Sequence, residues 1–119
     1  MTIQQGDIFF VHLDDPCESE PGYPHYVVVV QSNDFNKSDI NTVVVCCLTT
    51  TLSRAAAPGN VLLAPGEGGM PESSVVNVSQ MLTVNKRDLE DRRAALDYVR
   101  MREVVAGIRL LLEGERGLP

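Results

Sequence analysis

Apolar residues occur along the first two-thirds of the chain in short bursts, each closed by turn-forming residues. Residues 7–13 (DIFFVHL) are the first burst, rich in β-branched and aromatic side chains and ended by Asp14, Asp15 and Pro16. Residues 26–31 (YVVVVQ) are the second. Four valines in a row leave no polar face, so this pattern predicts a central strand covered on both sides. Residues 42–51 (TVVVCCLTTT) begin in the same way and then become a run of hydroxyls, which marks where burial ends. Shorter strands are expected at residues 59–63, 74–78 and 81–84, separated by the 65–69 loop (PGEGG) and by Ser79 and Gln80.

From Asp97 the period changes to that of a helix. Met101, Val104, Val105, Ile108, Leu111 and Leu112 recur at helical spacing, Asp97 is suited to cap the first turn, and Gly114 supplies a stop. The whole pattern predicts one mainly β domain over residues 1–119: a strongly bent antiparallel sheet with a C-terminal amphipathic helix covering an open face. Residues 114–119 read as a short polar tail, frayed rather than functional.

Composition narrows this picture. With 119 residues and 44% apolar content, the chain can build a core without a metal or a disulfide staple. Cys17, Cys46 and Cys47 are an odd count, and the adjacent pair points to opposite faces of a strand, so no disulfide framework is expected and Cys46 and Cys47 read as small core or interface residues. Two histidines and no C-x-x-C pair give no zinc pattern. The first residues lack the features of a secretory signal, and no apolar run approaches the roughly 18 residues of a membrane span. A cytoplasmic protein without a membrane segment is the expectation.

The net charge of −6 counts against a protein that grips a nucleic-acid backbone by bulk electrostatics. Charge is also uneven: the first 85 residues hold two bases against nine acids, and the last 34 hold eight against seven. The bases of residues 87–93 are interleaved with Asp88, Glu90 and Asp91, the pattern of a solvated face. Any nucleic-acid role must rest on a local site.

The residues suited to such a site lie in two places. Residues 16–25 (PCESEPGYPH) are too polar for core and too constrained by three prolines for a floppy linker, and they carry Glu20 and His25. Thr49, Thr50 and Thr51 end the third strand, where a compact sheet would bring them beside that loop, with Ser53 and Arg54 just beyond. Each has a bland alternative: a solvent-exposed loop histidine, a β-favouring strand end, a solvated Glu20, and a solubilising Arg54. Ser74 and Gln80, near the ends of late strands, are suited to reading a base edge or to local turn hydrogen bonds. His12 alternates with apolar neighbours and reads as structural.

The order of features then becomes specific. Gly6-Asp7-Ile8-Phe9-Phe10 opens the chain, Asp15-Pro16 turns it, and Glu18-Ser19-Glu20-Pro21-Gly22 forms a loop that leads through His25-Tyr26 into the valine strand and Gln31. Asn33-Asp34, the buried run ending at Thr49, and Ser73-Ser74-Val75-Val76 through Gln80, Thr83, Val84, Asn85 and Lys86 follow. This spacing resembles the MazF/PemK (Kid) family of toxin endoribonucleases, which shares an SH3-like β-barrel with the CcdB gyrase poisons. The resemblance extends to about Glu113.

It implies sequence-specific cleavage of single-stranded RNA without a metal or other cofactor, by attack of the ribose 2′-OH on the adjacent phosphorus. It further implies a homodimer with RNA in a groove along its interface, and a cognate antitoxin (MazE-like) that blocks the groove. Thr49 matches the family's catalytic Thr, while His25 stands where the family has Arg and Tyr26 where it has Pro. An imidazole, with an ordinary pKa of about 6.5, exchanges protons near neutral pH but cannot clamp a phosphate in two places as Arg does. The resemblance therefore implies His25 and Thr49 as catalytic residues, with Glu20, Thr50, Ser53, Arg54, Ser74 and Gln80 as substrate contacts. Two alternatives stand beside it: a homologue that lost cleavage and only binds antitoxin or RNA, and a CcdB-like topoisomerase poison. The polar first loop and the residues beyond the helix favour the nuclease branch.

Overall fold

The computed structural model describes residues 2–11, 25–89 and 91–115. In chain order the elements are β1 (Asp7–Val11), β2 (His25–Val29), α1 (Asn33–Asn36), β3 (Thr42–Thr49), β4 (Val61–Leu63), β5 (Ser74–Asn85), β6 (Asp91–Ala95) and α2 (Tyr98–Glu113). The strands form one antiparallel sheet in the order β4-β5-β3-β2-β1-β6, curled into a half-barrel.

Alternation along the central strands divides their side chains between two cores. Val28, Cys46 and Leu48 point into one, with Ile8, Leu63, Val76, Val78, and Met101 and Val104 of α2. Val27, Val29, Val43, Val45 and Cys47 point into the other, with Phe9, Val11, Val84 and Leu89. The valine run is thus buried on both faces, as its lack of polar alternation predicts, and the adjacent cysteines do separate. Helix α2 follows its sequence signals closely: the Asp97 carboxylate accepts from the Arg100 N–H at 2.8 Å, and Gly114 ends it with a positive φ.

Several boundaries differ for physical reasons. Residues 74–78 and 81–84 are not two strands but parts of the single strand β5. Cys46 pairs with Met81 and Cys47 with Asn77, so Val78, Ser79 and Gln80 have no partners on β3 and form a bulge, which is the interruption the sequence pattern mimics. Arg87, Arg92 and Arg93 of the 87–93 stretch are exposed, as its interleaved charges predict, but 91–95 also form a strand, the edge strand β6. Its bases suit an edge, and Arg92 reaches back to the buried Asp7, Nε to Oδ1 3.0 Å. Residues 33–36 make a helical turn, β2 already begins at His25, β3 ends at Thr49, and β4 covers only Val61–Leu63. Leu111 and Leu112 are exposed, and Gly107 is buried on α2 instead.

Cys46 is buried and free, whereas Cys47 is disulfide-bonded, against the expectation of no disulfide. The expectations for His12, the Asp-Pro turn, Cys17, Glu20 and most of the tail lie outside the described residues.

Candidate active site

The β2–β3 ladder pairs Val29 with Val45, Val28 with Cys46 and Val27 with Cys47. Two residues beyond the last of these pairs lie His25, the first residue of β2, and Thr49, the last of β3. They therefore sit at one end of the sheet, and strand alternation assigns both to the face that carries Val27 and Cys47. His25 is also held from the other side, paired with Val11 of β1. Both residues are half-buried, the transition that the change from valines to hydroxyls in β3 marks.

The Thr49 hydroxyl oxygen accepts the Thr51 N–H at 3.1 Å, which fixes its rotamer and leaves its proton as a donor. The chain then passes through Thr50 into a 3-10 turn, Leu52–Ala56, that carries Ser53 and Arg54 on the surface. Asn60 ties this turn to β5: its side-chain N–H donates to the Arg54 carbonyl at 2.9 Å, and its Oδ1 accepts the Val78 N–H at 2.9 Å.

On the other side of β3, Thr49 pairs with Val75 and Cys47 with Asn77. The Asn77 side chain is buried; it donates to Gln80 Oε1 at 3.1 Å and accepts from the Ser79 hydroxyl at 2.9 Å. The structure thus brings His25, Thr49, Thr50 and the Ser53-Arg54 turn to one end of the sheet around β3, while the half-buried Gln80 lies on the β5 bulge, level with Cys46 and Cys47. Ser74 is fully buried and its hydroxyl donates to the Glu72 carbonyl at 3.1 Å, the local turn bond rather than a base contact. Glu20 lies outside the described residues. Sequence reasoning misses Asn60 and Asn77; the one available signal is an amide interrupting the run Val75-Val76-Asn77-Val78.

On the opposite face of β2, Tyr26 meets Phe10 edge-on, ring centroids 5.4 Å apart, and the Arg93 guanidinium lies 5.7 and 5.8 Å from the Phe10 and Tyr26 rings. Cys46 is no nucleophile, since burial pushes its thiol up to about 12. Among the described residues no group of three or more His, Cys, Asp or Glu side chains is placed to hold a metal, and no helix is long and apolar enough to cross a membrane.

A curled six-stranded antiparallel half-barrel with one C-terminal helix is the fold of MazF-like structures. Relatives narrow the class. The family described as PemK-like, MazF-like toxin of type II toxin-antitoxin system matches residues 4–112. Endoribonuclease MazF6 of Mycobacterium tuberculosis (strain ATCC 25618 / H37Rv) is 37% identical over 113 residues, covering 95% of this chain and 99% of that protein. Endoribonuclease EndoA of Bacillus subtilis (strain 168) is 29% identical over 112 residues, 94% of this chain and 96% of its own. Among solved structures, an endoribonuclease in complex with its cognate antitoxin from Mycobacterial species superposes with a TM-score of 0.73 at 23% identity, covering 98% of this chain and 97% of that one. The chain belongs to the PemK-like, MazF-like toxin family.

Proposed function

We propose that this chain is a sequence-specific endoribonuclease toxin that cuts single-stranded RNA in the cytoplasm and is neutralised by a cognate antitoxin. The observation that carries the reading is the β2–β3 register, which sets His25 and Thr49 at one end of the same sheet face. The 37% identity to a protein named an endoribonuclease supports it over nearly the whole chain.

In the reaction, the ribose 2′ oxygen bonds to the adjacent phosphorus as the bond to the 5′ oxygen breaks. The products are a 2′,3′-cyclic phosphate and a 5′-hydroxyl. His25 accepts the 2′ proton while the departing 5′ oxygen takes a proton from solvent water, and a positioned base of this kind contributes about 10²–10⁴-fold. The Thr49 hydroxyl donates to a non-bridging phosphoryl oxygen, where charge builds up in the transition state. Glu20 orients His25 or holds a base edge, and Thr50, Ser53, Arg54 and Gln80 contact the RNA around the cut. No step draws on a metal ion. Two copies form the active dimer, with the RNA in a groove along their interface. An antitoxin segment occupies the same groove, and because each chain carries −6 its apolar anchors dominate the affinity.

The test is incubation of the purified protein with mixed-sequence single-stranded RNA in EDTA, followed by mapping of the ends. Cyclic-phosphate ends that vanish in His25→Ala and Thr49→Ala are the expected result. Unchanged cleavage by His25→Ala at neutral pH removes His25 from the mechanism. If wild type cuts no RNA, the protein is a binding module, or a topoisomerase poison if it causes gyrase-dependent DNA breaks.

A further inference from the structure

Arg92, Arg93, Arg100 and Arg109 each face a carboxylate. Arg87 has no ion pair among the described residues; it is exposed and lines a cleft of about 460 Å³ with Asn41, Asn85 and Lys86. The cleft is of small-molecule size, and its four lining residues are polar with no acid among them, in a chain whose net charge is −6. The sheet builds it. Thr42 at the start of β3 pairs with Asn85 at the end of β5, and the Lys86 N–H donates to the Asn41 carbonyl at 2.8 Å. The Lys86 ammonium donates to the Asn36 and Ser38 carbonyls at 3.0 and 3.1 Å, which fixes its charge at this end of the sheet and leaves one of its three donors. Lys86 also borders a second cleft that Lys37 lines. Asp34, Asp39 and Asp88 are near in sequence, but none lines either cleft.

We propose that this cleft holds a backbone phosphate of single-stranded RNA, several nucleotides from the cut. The inference rests on the RNA-cleaving reading above. Arg87 supplies a planar fork of donors matched to phosphate oxygens, Lys86 a fixed positive charge, and Asn41 and Asn85 neutral amide donors. A protein segment is the poorer occupant, since no apolar residue lines the cleft to take the kind of anchor that dominates protein interfaces. The cleft is separate from the cutting site: Thr49 lies at the other end of β3, roughly 23 Å from Thr42 at the rise of an extended strand. Phosphate contacts hold a nucleic acid in register without reading its bases, so the cleft adds affinity and leaves sequence preference to the other end of the sheet.

The probe is a mixed-sequence single-stranded RNA of about 12 nucleotides with 2′-O-methyl ribose throughout, which lacks the attacking hydroxyl. Binding is followed by fluorescence anisotropy between about 50 and 200 mM KCl. Arg87→Ala is expected to weaken binding several-fold and to lower the slope of log affinity against log salt by about 0.7–1, the loss of one phosphate contact. Arg87→Lys keeps the slope and loses part of the affinity. Arg102→Ala, which removes the same charge from an exposed position on α2, leaves both unchanged. In cleavage, Arg87→Ala raises KM with kcat and the cut sequences unaltered. Thermal melting confirms that each variant folds.

Equal binding by wild type and Arg87→Ala would overturn the proposal, as would an equal loss in Arg102→Ala, which would mean bulk charge alone. Inorganic phosphate that raises the Tm of wild type but not of Arg87→Ala, with RNA binding indifferent to Arg87, would assign the cleft to a free phosphate and also overturn it. So would a loss of antitoxin affinity in Arg87→Ala with RNA binding unchanged. If wild type cuts no RNA the cleavage reading fails, and the uncleavable probe still decides: binding that depends on Arg87 supports the cleft, and absence of binding by wild type refutes it.

Discussion

Replacing Gly107 with Ala should destabilise the protein even though Ala is the better helix former. A Cβ at position 107 would stand 2.8 Å from the Gly59 carbonyl carbon and 3.1 Å from its Cα, and closer still to its oxygen. These are backbone atoms, so no side-chain rotation relieves the contact. Gly59 itself has a φ of +83°, and the next residue is tied down by the Asn60 bonds to the Arg54 carbonyl and the Val78 N–H. The propensity gain is about 1 kcal/mol, and overpacking a tight contact costs about 1–3 kcal/mol, here toward the upper end because both sides are main chain. The net expectation is a loss of about 1–2 kcal/mol, a fall in Tm of roughly 3–10 °C for a domain of this size. Urea and thermal denaturation at one fixed protein concentration measure it, since self-association makes stability depend on concentration. The exposed neighbour Ala106→Gly is the control for propensity alone and should lose about 1 kcal/mol. Because a retreating α2 pulls on Gly59 and loosens the Arg54 turn through Asn60, RNA cleavage should also fall at temperatures where the variant is fully folded. A Tm for Gly107→Ala at or above wild type would refute the reasoning.

Two further predictions concern charge and protons. His25→Arg keeps a cation able to clamp a phosphate but has no group that accepts a proton, so cleavage should fall about 100-fold or more; wild-type activity in this variant would remove proton transfer from His25. The Arg100 guanidinium bonds both oxygens of Glu67, at 2.9 and 3.1 Å, and holds that carboxyl below its ordinary 4.5, aided by the Ala64 N–H. A lowered folded value means stabilisation that is present above the ordinary value and lost as pH falls through the folded one. Glu67→Gln should therefore cost roughly 0.5–1 kcal/mol at pH 7, a modest figure because the pair is partly exposed, and the gap to wild type in urea denaturation should close toward pH 3. An equal gap at both pH values would contradict this.

Much of the fold is legible in the sequence because burial and period state it directly. Val27, Val28 and Val29 have no polar neighbours and are covered on both faces, and Asp97 and Gly114 bound α2 where their chemistry demands. The placement of Thr49 is legible as well, since hydroxyls replace valines where β3 leaves the core. The failures share one cause: tertiary partners override local pattern. Ser79 and Gln80 read as a turn, yet the strand continues past them because β3 pairs on both sides of the bulge. Arg92 is exposed as its charge pattern predicts, yet the strand it lies on and its ion pair with the buried Asp7 come only from pairing with β1. Ser74 reads as suited to a base edge or to a local turn bond, and its burial on β5, which pairs with β4 and β3, goes with the turn bond. Asn60 and Asn77, 17 residues apart, gain their meaning only when the sheet brings them together.

The central claim, RNA cleavage by 2′-OH attack at the His25 and Thr49 end of the sheet, is open to a substitution in the substrate. An oligonucleotide that the protein cuts is resynthesised with 2′-deoxyribose at the single nucleotide 5′ to the cut, and both forms are incubated with excess protein in EDTA. The account predicts complete loss of cutting at that bond, with the ribose form ending in a 2′,3′-cyclic phosphate and a 5′-hydroxyl. Cleavage of the deoxy form at the same bond, or a 5′-phosphate on the product, would contradict it.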